Sequence, residues 1–71
     1  MIIQQHMKER TEFKNLVVGD VFYNKTTDNL YLKVTETKEY NCVNLDSAYV
    51  TKMNDNTRVI HITDYIFDYN L

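Results

Sequence analysis

Seventy-one residues with a net charge of −2 leave room for one domain with a thin core. A single cysteine, Cys42, excludes an intrachain disulfide, a single glycine excludes a Gly-rich phosphate loop, and no run nears the roughly 18 apolar residues of a membrane span. The first residues lack the basic start and apolar run of a secretory signal, so the expected location is the reducing cytoplasm, away from membranes.

Met1–Glu12 admits three readings. Ile3 and Met7 share one face of a helix, Ile3, Gln5 and Met7 share one face of an edge strand, and the segment also suits an N-terminal arm. Phe13–Val18 reads as extended and leads to a turn at Gly19-Asp20, after which Val21-Phe22-Tyr23 resumes the extended run. Asn24–Asn29 is a polar loop with strong turn chemistry. Leu30–Val34 is the clearest strand: Leu30, Leu32 and Val34 alternate with Tyr31, Lys33 and Thr35, and the apolar set is expected to face the core.

Glu36–Glu39 reads as a turn and Tyr40–Leu45 as the next strand. Asp46-Ser47 turns into a strand over Ala48–Met53, and Asn54-Asp55-Asn56 turns into the strand of Arg58–Ile62. In the tail, Thr63–Leu71, Thr63 is placed to cap a short helical turn holding Ile66 and Phe67, and the same residues also suit a final strand.

The fold class is therefore mostly β, and Val, Ile, Thr, Tyr and Phe are the residues that suit a pleated surface. About five short antiparallel strands at close spacing predict a small barrel, SH3-like or OB-like, or a strongly bent sheet. A short terminal helix over an open sheet is the alternative. The expected organisation is an arm or short element over 1–12, a β-barrel domain over 13–62 and an acidic-aromatic tail over 63–71.

Leu16-Val-Val18-Gly19-Asp20-Val-Phe22, then Leu30-Tyr31-Leu-Lys33-Val34, then Asn41-Cys-Val43-Asn44-Leu45, resembles a pattern of small bacteriophage proteins. It is also similar to SH3-like barrels in which Val-Gly-Asp precedes the first core strand. The resemblance runs from about residue 13 to 62. It implies an SH3-like fold and a phage origin, and it implies no activity and no particular binding residue. The first twelve residues and the tail depart from it.

No catalytic constellation is visible. Cys42 and either histidine, His6 or His61, have no spacing that would pair a thiol with an imidazole, and the three are too scattered for a zinc site. Asp46, Asp55, Asp64 and Asp68 do not follow a calcium-loop pattern. No enzyme activity, cofactor or metal is expected.

Six tyrosines, by contrast, are many for this length. Tyr31 and Tyr49 fall opposite the Leu30 and Val50 faces and are expected to be partly exposed, where a large ring with a polar tip anchors protein contacts. With Lys33 beside Tyr31, and with Tyr65, Phe67 and Tyr69 alternating with acids in the tail, they form the candidate partner-binding set. The expected partner is a host protein, modulated by a non-catalytic module.

The alternative is a single-stranded nucleic acid stacked on Tyr31 and Tyr49 beside Lys33. Charge argues against general nucleic-acid binding: residues 1–33 hold five basic and four acidic groups, and residues 34–71 hold three and six. A small basic patch around Lys8, Arg10 and Lys14 stands against that trend. Homodimerisation through a strand edge fits either partner.

Overall fold

The computed structural model describes the backbone of residues 3–67 and the side chains of residues 10–63. The chain is mostly β, as its composition predicts. Six strands lie in one antiparallel sheet: β1 (Ile3–Glu12), β2 (Val21–Asn24), β3 (Asn29–Lys33), β4 (Cys42–Asn44), β5 (Val50–Thr51) and β6 (Arg58–Phe67). Their order is β1-β6-β2-β3-β4-β5, so the sheet is open, with β1 and β5 at its two edges.

Several expectations change at this level. The strand reading of the first twelve residues is the one adopted, and it adds a sixth strand to the expected five. β1 pairs with β6 from Ile3↔Phe67 to Glu12↔Arg58, with register slips between Gln5 and Met7 and between Met7 and Lys8. β6 runs through Thr63 without a helical turn, so no terminal helix forms among the described residues. Residues 3–12 and 63–67 thus extend one ribbon of the same sheet. Local periodicity left this open because a strand of mixed polarity becomes a strand only when a partner supplies its hydrogen bonds.

Phe13–Val18 is not extended throughout. Phe13–Asn15 forms one 3-10 turn, closed by the Leu16 N–H on the Phe13 carbonyl at 3.1 Å. At this tight pitch, residues three apart eclipse, so Phe13 and Leu16 point the same way and both are buried. The Phe13 N–H donates to the Thr57 carbonyl (2.9 Å) and the Lys14 N–H to that of Asp55 (3.0 Å), which ties the turn to the loop entering β6. Gly19 follows at φ +100°, a conformation that strains any residue with a Cβ, and its N–H reaches the Lys33 carbonyl at 2.8 Å.

Residues paired across neighbouring strands share a face. One face carries Phe22, Tyr31, Cys42 and Val59, and the 3-10 turn lays Phe13 and Leu16 against them to make the main core. Phe13 meets Phe22 edge-on at 5.4 Å between centroids, and Phe22 stacks on Tyr31 at 5.2 Å. Such pairs add about 0.5–1.5 kcal/mol each to the gain from burial.

The opposite face carries an aliphatic row in continuous register: Ile62, Val21, Leu32, Val43 and Val50. Its Ile62 and Val21 end is buried and its Val50 end is open to solvent. The strand of Leu30–Val34 is therefore turned over relative to expectation. Tyr31 faces the main core, while Leu30 and Leu32 belong to the half-buried second face. Both faces of the sheet are apolar, so alternation groups the residues correctly without saying which group is innermost.

Two asparagines are buried within this framework and both are fully used. The Asn41 amide donates to the Met53 carbonyl (2.9 Å) and its oxygen accepts the Met53 N–H (2.8 Å), which extends the β4–β5 pairing with a side chain. Asn24 shapes the β2–β3 turn, described next.

Candidate functional site

The two hairpins at one end of the sheet have the same turn design. In the β2–β3 turn, the Asn24 side-chain oxygen accepts the N–H groups of Thr26 (2.9 Å) and Thr27 (3.4 Å). The chain returns through Asp28 at φ 59°, whose N–H reaches the Asn24 carbonyl at 2.8 Å. In the β4–β5 turn, the Asn44 oxygen accepts from Asp46 (2.8 Å) and Ser47 (3.1 Å). That chain returns through Ala48 at φ 67°, bonded to the Asn44 carbonyl at 2.7 Å. Ala48, expected within a strand, is thus a turn residue, and β5 shrinks to Val50–Thr51. The turns touch through Asp46, whose carboxylate accepts the Leu30 N–H at 3.0 Å.

The residues expected to bind a partner take different places. Tyr31 is only 4% exposed and its hydroxyl meets the Thr27 hydroxyl at 2.8 Å inside the first hairpin, so its expected exposure is corrected. Lys33 is also turned inward. Its ammonium donates to the Phe13 (3.1 Å) and Leu16 (2.6 Å) carbonyls and lies 4.4 Å from the centre of the Phe13 ring. It caps the 3-10 turn, where carbonyl oxygens and a ring face both favour a cation.

Tyr49 is 75% exposed immediately before β5, as expected, with Val50 52% exposed beside it. Tyr31, Lys33 and Tyr49 therefore do not form one exposed stacking surface. The backbone of Tyr65 and Phe67 lies in β6, their side chains lie outside the described residues, and Tyr69 lies wholly outside them.

The edge beside Tyr49 has no partner strand among the described residues. The Tyr49 carbonyl accepts the Asn44 N–H (2.7 Å) and the Thr51 carbonyl accepts the Asn41 N–H (3.0 Å), so both point into the sheet. Across a trans peptide the next N–H points the opposite way, which turns the Val50 and Lys52 N–H groups outward. The Lys52 side chain folds back to the Thr37 carbonyl (2.9 Å) and to Glu36 (3.5 Å).

A second feature lies between the β2–β3 turn and the β1–β6 ribbon. A cavity of about 190 Å³ there is lined by Arg10, Lys25 and Arg58 together with the hydroxyl-bearing Thr11 and Thr26. Of the basic patch suggested by sequence, Arg10 lines this cleft, Lys14 turns to Glu12 at 3.7 Å, and the Lys8 side chain lies outside the described residues. Sequence reasoning missed Lys25 and Arg58 because the three cations sit on β1, a turn and β6, with no shared motif.

The remaining chemistry is structural. Cys42 is fully buried, and desolvation pushes its thiol up to about 11, far from a reactive thiolate at neutral pH. Tyr23 donates its hydroxyl to Asp28, which raises its pKa because the bond favours the neutral phenol. His61 lies 3.5 Å from Asp20. Among the described residues no three metal-ligating side chains gather, and no helix is long and apolar enough to cross a membrane. Comparison with protein-family models, with curated proteins and with solved structures finds no match to this chain.

Proposed function

We propose that this chain is a non-catalytic protein-binding module that acts in the cytoplasm and engages its partner through the β4–β5 hairpin. One observation carries the reading: Tyr49 and Val50, 75% and 52% exposed, stand together where the chain enters an edge strand with outward N–H groups. A partner in extended conformation adds to such an edge by main-chain hydrogen bonds, and the Tyr49 ring supplies an anchor of large area. The phage-type pattern over about residues 13–62 makes a host protein the partner of choice. A strongly bent, SH3-like sheet suits this role, because a single sheet without a covering layer buries its core by curling around it. The tail residues Tyr65, Phe67 and Tyr69 stay in the proposal as a second docking element.

The test compares the wild type with the Y49A/V50K double variant in a pull-down from nuclease-treated bacterial lysate. The expected result is one dominant protein retained by the wild type and lost with the variant, while the two melt alike. Equal capture by both proteins would sink the hairpin assignment. A wild type that elutes as a dimer, and a variant that elutes as a monomer, would make a second copy of this chain the occupant of the edge.

A further inference from the structure

The Arg10–Lys25–Arg58 cleft has a chemistry unlike the rest of the surface. In a chain of net charge −2, three cations line one cavity and, among the described residues, no carboxylate lines it. Glu12 stands opposite Arg58 in register, but its carboxylate turns to Lys14 at 3.7 Å. Among the described residues, none of the three cations forms an ion pair.

The backbone contributes as well. The β2–β6 pairing ends at Tyr23↔Ile60, whereas β1 continues beside β6 to Arg58. The Thr57 carbonyl accepts from Phe13 on the β1 side, so the Arg58 N–H points to the side that β2 has vacated. That places an N–H donor toward the cleft that Arg58 itself lines.

On the other wall, the buried Asn24 holds the turn that presents Lys25 and Thr26. Ile60, on the same sheet face as Arg10 and Arg58, adds apolar surface beside them.

We infer that this cleft is a binding site for a phosphate group. A carboxylate is planar and is satisfied by one forked guanidinium, whereas a tetrahedral phosphate takes donors from several directions at once. Two guanidiniums and one ammonium, with the Thr26 hydroxyl and a backbone N–H, carried on three separate elements, suit the second geometry. The site uses no residue of the proposed protein-binding hairpin, so either assignment can fail alone.

The experiment is a titration of the ¹⁵N-labelled full chain with inorganic phosphate at constant ionic strength, followed by amide chemical shifts. Expected are saturable shifts centred on Lys25–Thr27 and Arg58–Ile60, weakened by about tenfold or more in R58Q and in K25Q. K38Q, which removes a charge outside the cleft, should leave the titration unchanged. Shifts that never saturate, or that weaken equally in K38Q and R58Q, would overturn the site. A mononucleotide and a short single-stranded oligonucleotide then separate the sources. Tighter binding of the oligonucleotide with a steep salt dependence identifies a strand backbone, and tighter binding of the mononucleotide identifies a small phosphorylated ligand.

Discussion

The β2–β3 and β4–β5 hairpins share a turn, asparagine-capped and closed through a left-handed residue, yet they treat their tyrosines in opposite ways. In the first, Asn24 is buried, Tyr23 is tied to Asp28, and Tyr31 is locked between Phe22 and the Thr27 hydroxyl. In the second, the turn faces solvent and Tyr49 stands clear of it. The difference does not come from the turns. β2 and β3 have neighbours on both sides and the 3-10 turn above them, whereas β5 is an edge with no further strand beyond it among the described residues. One hairpin is built into the core and the other stands exposed at the sheet edge.

The sharpest way to break this comparison is to remove each ring. Tyr31→Ala is expected to cost about 3–5 kcal/mol, as for other buried aromatics, which is enough to unfold much of a domain this small. Tyr49→Ala should cost less than about 0.5 kcal/mol, the ordinary range for exposed positions. Urea denaturation of both variants measures the contrast, and similar losses would erase the distinction between the hairpins.

A second test uses pH to ask how far the core reaches under the exposed hairpin. Cys42 lies on β4 and titrates near 11 when folded, against 9.0 ordinarily. The thiol is protonated in both states below about pH 9, so stability is complete there. As pH rises from 9 to 11 the unfolded chain loses its proton first, and stability should fall by an amount on the order of 2 kcal/mol. Tyr23, raised above 10.0, adds to the loss in the same direction. Denaturation midpoints between pH 8 and 11 follow this fall, and C42A should flatten its lower half. An unchanged profile in C42A would place Cys42 outside the desolvated core.

The smallest effect concerns the turns themselves. Asp28 and Ala48 hold the same left-handed position, but aspartate tolerates it and alanine does not. Ala48→Gly should therefore stabilise the protein by about 0.5–1 kcal/mol, even though glycine also widens the unfolded ensemble. Thermal melting measures it. A loss of stability would mean that the Ala48 methyl contributes packing that its exposure does not suggest.

Turns and pairing sets were legible in the sequence because they are local. Gly19-Asp20, Asn24–Asn29 and Asp46-Ser47 mark their turns by residues that accept positive φ or bond their own backbone. The period of two in Leu30–Val34 correctly sorts that segment into alternating sets. Of the candidate site, Tyr49 was legible as an exposed ring, whereas the burial of Tyr31 and the inward turn of the half-buried Lys33 were not legible. A lysine beside a tyrosine looks like surface until a 3-10 turn brings carbonyls and a phenyl ring to its ammonium.

By itself, then, the sequence determined the mostly-β class, the places where the chain turns and the residues that share each side of a strand. Those properties follow from backbone preference and a two-residue period within a few neighbours. The tertiary structure decided that residues 3–12 form a strand against 58–67, that Tyr31 rather than Leu30 and Leu32 enters the main core, and that Arg10, Lys25 and Arg58 meet in one cleft. Each of these depends on partners far apart in the chain. With both sheet faces apolar and few cations to follow, no local pattern ranks one long-range pairing above another until the whole sheet is assembled.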